Sequence, residues 1–381
     1  MTAARPRFSI MHVVLEPRYS GAETLVRDLV RAQIAAGHRT SITAFRPSQA
    51  NFAGELESLE RHGCELHIPQ RNLGKWGRLS WVWAAVKNAR PDIVFAHSIL
   101  PSVYTRLALR LTRRPAIVTV LHSDDDLSDT ALLRLERLVY TRNACVVGVS
   151  AKSVENYQRR TRGGVPAQIV QNGIDIAHFA EPARVHRHWR DRVYGAARDE
   201  IIALQVGRIS IQKQQHVSVE ALIRLKTQGV CNIRLVLAGA CGDSQYKEKV
   251  LRIAREGGVE DRVHLVGTQR NIAEMLAGAN LFLMPSGWEA HSVAALEALA
   301  SGVFCVFSGI QAFEDLRSFP GVAMIGAPPT GEELGHCLEG VVRSEAWERR
   351  HERNLDQFSM SRCAAEYMRI TEEFASIDSS L

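Results

Sequence analysis

The chain has 381 residues, 46% of them hydrophobic and 23% charged, with a formal net charge of +6. That length exceeds one ordinary core and predicts two domains, and the composition is that of an ordinary soluble globular protein. No apolar run reaches the roughly 18–20 residues of a membrane-spanning helix, and seven cysteines without a Cys-x-x-Cys pair point to reduced thiols, not to disulfides or a zinc site.

The first residues, Met1 to Phe8, carry no signal-peptide core, so the expected location is the cytoplasm. Strand-like runs then alternate with helical ones. Phe8–Leu15 reads as a buried strand, and Glu23–Ala36 has helical spacing that stops at Gly37. Thr40–Phe45, Asp92–Ala96, Ala116–Leu121 and Cys145–Val149 continue the strand series, which closes near Gln168–Val170. Residues 181–199 are polar and arginine-rich, a linker and entry helix. A second series follows: Ile201–Val206, Ile233–Ala238, Val263–Val266, Leu281–Met284 and Val303–Phe307, each leading into a helical pattern. Ser361–Phe374 reads as a last amphipathic helix. Such alternation predicts an α/β protein with two doubly wound parallel sheets: a domain over 1–180 joined by a crossover helix at about 361–381, and a domain over 181–360. In such sheets ligands bind beyond the carboxyl ends of the strands, so the expected site is a deep cleft between the domains.

The charge is uneven. Residues 1–180 sum to about +9 and residues 181–381 to about −3 by simple side-chain count. A basic half attracts phosphates or anionic membrane surfaces, though it also serves plain solubility. Within it, Asn72–Arg90 mixes Lys75, Arg78 and Lys87 with Trp76, Trp81 and Trp83, and Tyr104–Arg114 adds Arg106, Arg110, Arg113 and Arg114. That pairing suits a peripheral contact with an anionic membrane; helix-on-sheet packing with a solvated basic face is the competing account. No nucleic-acid-binding module is recognisable.

The turns carry the chemistry. Gly21 ends the first strand-to-helix turn, where a backbone can approach an anion, and no dinucleotide or P-loop signature accompanies it. Arg208 and Lys213 follow the glycine that ends the first strand of the second series. A guanidinium fork and an ammonium there suit a diphosphate; they also read as surface charges. Pro285-Ser286-Gly287-Trp288-Glu289-Ala290-His291-Ser292 precedes a helix with Ser292 as N-cap and Gly302 as stop. Amides at His291, Ser292 and Val293 would favour a phosphate. Glu297 stands in an otherwise apolar run, where a carboxylate needs hydrogen-bond donors such as sugar hydroxyls. His122 follows a strand, and Asp124–Asp126 contains an Asp-x-Asp pattern that either caps a helix or, in another fold, would bind a metal.

These residues line up with a family. The chain resembles the retaining glycosyltransferases of family 4, the "group 1" enzymes with the GT-B fold, from about Phe8 to Phe313. The resemblance rests on Ser20-Gly21-Ala22-Glu23, Arg90-Pro91-Asp92-Ile93-Val94, Val149-Ser150, Asn172-Gly173-Ile174-Asp175 with Phe179, Val206-Gly207-Arg208 with Lys213, and Glu289 eight residues before Glu297. It implies two Rossmann-like domains, a nucleotide-sugar donor on the C-terminal domain and an acceptor on the N-terminal one. It implies that Arg208 and Lys213 clamp the donor diphosphate, Glu297 binds the ribose, Glu289 contacts the sugar near the reacting centre, His122 lies against that sugar and Gly21 nears the phosphates or acceptor. It implies no metal and no other cofactor. Family members commonly have glycine after the lysine, where Gln214 stands here, and a glycine-rich turn in place of Ala290-His291-Ser292. The expected activity is metal-independent transfer of a hexose or N-acetylhexosamine, from a UDP-sugar, to a glycan or lipid-linked glycan in polysaccharide or lipopolysaccharide synthesis. A sugar-nucleotide epimerase and a non-catalytic binding module on the same fold are the competing readings.

Overall fold

The computed structural model describes residues 7–110, 115–123, 130–140, 144–161, 165–197 and 199–376. The chain divides into two compact units: Met1–Ile174 with Gln357–Leu381, and Asp175–Asp356. Among the described residues no helix is long and apolar enough to cross a membrane.

The first unit holds seven parallel strands, β1 (Ser9–Val14), β2 (Arg39–Ala44), β3 (Glu65–His67), β4 (Ile93–His97), β5 (Ala116–Leu121), β6 (Ala144–Gly148) and β7 (Ala167–Ile169), in the order β3-β2-β1-β4-β5-β6-β7. The central strands are mostly apolar and buried along their length because both faces are covered, the usual state of a parallel sheet. Helices α1 (Gly21–Ala35), α2 (Ala53–Arg61), α3 (Lys75–Ala89), α4 (Ile99–Ala108), α5 (Thr130–Val139) and α6 (Ala151–Thr161) make the crossovers. The closing helix, Met360–Ser376, belongs to this unit: Cys363, Tyr367, Ile370 and Phe374 enter the core of Ile10, Leu25 and Phe95. Its attachment begins where the Ile174 amide donates to the Phe358 carbonyl at 2.9 Å.

The second unit has six parallel strands, β8 (Ile201–Val206), β9 (Ile233–Ala238), β10 (Val263–Gly267), β11 (Leu281–Met284), β12 (Phe304–Ser308) and β13 (Val322–Ile325), in the order β10-β9-β8-β11-β12-β13. Its helices are α7 (Ile176–Ala183), α8 (His186–Trp189), α9 (Gln215–Thr227), α10 (Ser244–Glu256), α11 (Ile272–Gly278), α12 (Val293–Ala300) and α13 (Gly331–Arg343). α7 starts at an Asp175 cap, whose carboxylate accepts from the His178 amide at 3.1 Å. It packs on α11 and α12. The segment around Phe179, expected to end the first domain, therefore lies in the second unit.

Both sheets reverse winding beside the first strand of the unit. Strand-end turns next to that reversal are where α/β sheets bind ligands. In the second unit this singles out the turns after β8 and β11, which are neighbours.

One expectation fails in the first unit. Arg106, counted in a solvated basic face, is wholly buried. Its Nε donates to Ser102 Oγ at 3.1 Å and its Nη2 to Thr119 Oγ1 at 2.9 Å, while Ser102 and Thr119 both donate to Glu136 Oε1 at 2.9 Å. Ser102 and Arg106 are four apart on α4, so one face carries both inward. Arg113 and Arg114 lie outside the described residues.

Candidate active site

In the second unit, β8 runs into Gly207, and β9 into Gly239. A Cβ on Gly239 would collide with the Gly207 carbonyl oxygen, and one on Gly207 would stand 3.0 Å from Lys213 Cε. Glycine at both places lets two strand ends close together and leaves the Lys213 stem its path. The Gly207 amide then donates to the Ala238 carbonyl at 2.8 Å, and the Ile209 amide to Ala240 at 2.9 Å. Buried Gln215, at the start of α9, holds the turn between: its Nε2 donates to the Arg208 carbonyl at 2.9 Å. The Arg208 side chain is left exposed.

Two loops lock together here. The Gly287 amide donates to the Gln212 carbonyl at 2.8 Å, and Gln212 Nε2 to the Trp288 carbonyl at 3.0 Å. Gln205 Nε2, on β8, donates to the Lys213 carbonyl at 2.7 Å. These bonds carry Lys213 Nζ to 2.6 Å from Glu289 Oε1, with only 15% and 8% of the two side chains exposed. The sequence placed Lys213 on a phosphate and Glu289 on a sugar; the structure shows them bonded to each other. An ammonium has three donors, so one bond to Glu289 leaves two directions for phosphate oxygens.

Gln214, which follows Lys213, adopts a left-handed conformation with φ +48°. That conformation costs a residue with a Cβ about 1–2 kcal/mol. A Cβ on Gly287 would stand 2.6 Å from Nε2 at the end of the Gln214 side chain, which would have to turn aside.

α12 starts at Val293, and Ser292 Oγ accepts from the Ala295 amide at 3.4 Å while donating to Met284 Sδ at 3.2 Å. Gly302, φ +72°, follows its end. Glu297, in the second turn, is half-buried beside fully packed Leu296 and Ala298. His291 has its pKa pushed down to about 4 by burial, so at neutral pH it offers hydrogen bonds and no charge. Arg208, Lys213, Glu289, His291, Ser292, Val293 and Glu297 all lie on the turns and helix that follow β8 and β11.

Gly21 and His122 belong to the first unit. Gly21 is the exposed first residue of α1, but Ser20 makes no capping bond: its hydroxyl donates to Glu23. Burial raises the Glu23 carboxyl pKa, opposed by Ser20 and by Arg18 at 3.9 Å. An acid already answers the dipole of that N-terminus. His122, just past β5, is half-buried, with a pKa pushed down to about 4 by burial. His122 Nε2 lies 2.8 Å from Nδ1 of His97, a residue sequence reasoning passed over. His97 sits in an apolar strand run, and its only signal was a polar residue where the run should be apolar. Asp124–Asp126 lie outside the described residues, and among those described no group of His, Cys, Asp and Glu could hold a metal ion.

Comparison with known proteins matches this layout. Residues 190–318 fit the model of "Glycosyl transferases group 1" and residues 19–178 that of "Glycosyltransferase Family 4". The chain is 28% identical over 319 residues to the putative glycosyltransferase EpsF of Bacillus subtilis, covering 78% of each. It is 26% identical over 317 residues to the GDP-mannose-dependent α-(1-6)-phosphatidylinositol dimannoside mannosyltransferase of Mycobacterium tuberculosis, covering 81% of this chain and 73% of that one. The crystal structure of Anabaena Alr3699/HepE in complex with UDP and glucose superposes with a TM-score of 0.75 at 20% identity, over 98% of this chain and 100% of the other. The fold is GT-B, built of two Rossmann-like units. With a family model matched on each unit, the chain belongs to the group 1 glycosyltransferases of family 4.

Proposed function

We propose that the protein moves a hexosyl or N-acetylhexosaminyl group from a nucleoside diphosphate sugar, UDP the first candidate, to a glycan or lipid-linked glycan, with retained anomeric configuration and no metal. The observation that carries the donor reading is the cluster after β8 and β11. Exposed Arg208, the Lys213–Glu289 pair and the capped start of α12 share neighbouring strand ends. In transfer, the leaving diphosphate gains negative charge. Arg208, the two remaining Lys213 donors and the amides at Ser292 and Val293 would stabilise it as it forms. Glu297 takes the ribose hydroxyls, Glu289 and His291 the sugar, and in the first unit His122 takes the sugar and Gly21 the phosphates or acceptor.

The relatives support the class and leave the base open: one is named for GDP-mannose, and one fold neighbour holds UDP and glucose. The acceptor reading rests on the first unit. Trp76 is 84% exposed and Trp83 49%, with Lys87 Nζ 5.1 Å from the Trp83 ring centre, side chains suited to an anionic membrane surface. This supports work at the inner membrane face in polysaccharide or lipopolysaccharide synthesis.

The test is a panel of UDP-, GDP- and ADP-sugars, read as thermal stabilisation and as nucleoside diphosphate released with and without EDTA. A donor present at a hundred times its Kd adds about 2.7 kcal/mol of stability. One base should stabilise and release diphosphate, equally in EDTA. Stabilisation without release favours a binding module. Release lost in EDTA and rescued by manganese would overturn metal independence.

A further inference from the structure

Two buried glutamines of the second unit grip the backbone of the two cations assigned to the diphosphate. Gln205, on β8, is 2% exposed, and Gln215, the first residue of α9, is 1% exposed. Gln215 Nε2 donates to the Arg208 carbonyl at 2.9 Å, and its Oε1 accepts from the Ser210 amide at 3.3 Å. Gln205 Nε2 donates to the Lys213 carbonyl at 2.7 Å, and its Oε1 accepts from Ser218 Oγ at 2.8 Å. A carbonyl only accepts and a backbone amide only donates, so these partners themselves fix which way each side-chain amide faces. Neither glutamine can turn over without leaving a buried polar group unpaired.

The backbone between them is held as well. The Ile209 amide donates to the Ala240 carbonyl at 2.9 Å, and the Ile209 carbonyl accepts from the Gly242 amide at 3.1 Å. The Lys213 amide donates to the Ser210 carbonyl at 3.0 Å. Gln214 keeps its left-handed conformation between two held points, the Lys213 carbonyl and the Gln215 side chain. Strain of that kind persists where the surroundings over-determine a position.

Both glutamines bind a carbonyl and leave the charge alone. A buried acceptor on the guanidinium or the ammonium would compete with phosphate oxygens for its N–H groups. A donor on the carbonyl fixes where the side chain starts and spares its head group. Arg208 accordingly stands on a pinned backbone with its side chain exposed. A cation fixed in this way is in place before its anion arrives, which is what makes electrostatic stabilisation effective.

We propose that Gln205 and Gln215 are positioning residues for donor binding: Gln215 acts through Arg208, and Gln205 through Lys213. The hold on the turn rests on the bonds above; its value to the reaction rests on the proposed donor role of Arg208 and Lys213.

The experiment compares the full chain with Gln205→Met and Gln215→Met, which keep side-chain length and remove the donor. Backbone hydrogen exchange without ligand reads the hold on the turn. Exchange should rise at Ile209 and Ser210 in Gln215→Met and at Lys213 in Gln205→Met, while the β9 amides keep their native rates. Calorimetric titration with UDP, GDP and ADP reads its value. Each variant should bind whichever nucleotide the native chain binds about tenfold more weakly, as when a partner that orients a binding group is lost. Two double-mutant cycles then separate positioning from plain stability. Added to Arg208→Ala, Gln215→Met should cost no further affinity and Gln205→Met the whole of its own loss; added to Lys213→Ala, the two exchange places. A pair that served only the fold would add its losses in all four combinations, and that result overturns the route through the cations. Native exchange at the turn in both variants overturns the hold itself. A native chain that binds none of the three nucleotides sinks the donor reading and the binding role with it, while exchange still decides the hold.

Discussion

The two units place functional groups on the same kind of scaffold by opposite electrostatic means. The second unit keeps charge at its strand ends: Arg208 exposed, Lys213 and Glu289 balanced against each other 2.6 Å apart. The first unit threads neutral imidazoles through its interior, His12 wholly buried and His97 3% exposed. Charge on a surface acts on a charged ligand at once and is weakened by salt. Buried neutral rings carry no such field and act through hydrogen bonds alone.

The largest effect expected from this contrast is at Lys213. In Lys213→Ala, Glu289 stays 8% exposed with its counter-charge gone. Loss of a preorganised cation at a leaving group should lower kcat by about a hundredfold or more. Lys213→Ala combined with Glu289→Gln should recover stability and not kcat. If the single variant turns over like the native chain, Lys213 is structural, and the charge-built half of the comparison reduces to Arg208.

Arg208 gives the next effect. Arg208→Ala should weaken nucleoside diphosphate binding by about 1.5–3 kcal/mol, the usual worth of a charge-assisted bond. Because Arg208 is exposed, the native affinity should fall with added salt, and the variant's should fall less. Calorimetric titrations at two ionic strengths measure both. Equal salt dependence in the two proteins would place the anion elsewhere.

The sequence disclosed these two halves unequally, for a physical reason. Strands such as Ala116–Leu121 and Ile233–Ala238 were legible to the residue, because strands buried on both faces are unbroken apolar runs. β3 and β13 were missed: they are short edge strands, and most of their residues are only half-buried. Arg208, Lys213, Glu289 and Ser292 stood out because strand-end turns gather their chemistry into short segments. That Lys213 spends its charge on Glu289, 76 residues on, was not legible, since only the adjacency of β8 and β11 brings them together. The buried histidine contacts of the first unit were hidden more deeply. His12 and His97 are 85 residues apart, each inside an apolar run, and become partners only through strand register. Arg106 was misread by the same logic: no local pattern distinguishes an arginine facing solvent from one facing Glu136.

The smallest effect tests the neutral half directly. His12 has a folded pKa of about 4 against 6.5 for a free imidazole. Below pH 6.5 the unfolded chain takes up a proton that the folded chain refuses, so His12 lowers stability as pH falls from about 6.5 to about 4 and costs nothing above. The loss approaches about 1.4 kcal/mol for each pH unit. Glu23 and Glu136, whose pKa values burial raises, act in the opposite sense, and His97 and His122 in the same sense. The measurement is therefore a difference of slopes. His12→Leu should be less stable at pH 7, having lost its bonds to Gln33 and His97. Between pH 6 and 5 it should nonetheless lose about 1.2 kcal/mol less than the native chain, the contribution of most of one proton. Hydrogen exchange at the β1 and β4 amides reads this for the first unit alone. Parallel slopes would mean His12 takes up its proton in the folded chain as readily as in the unfolded one.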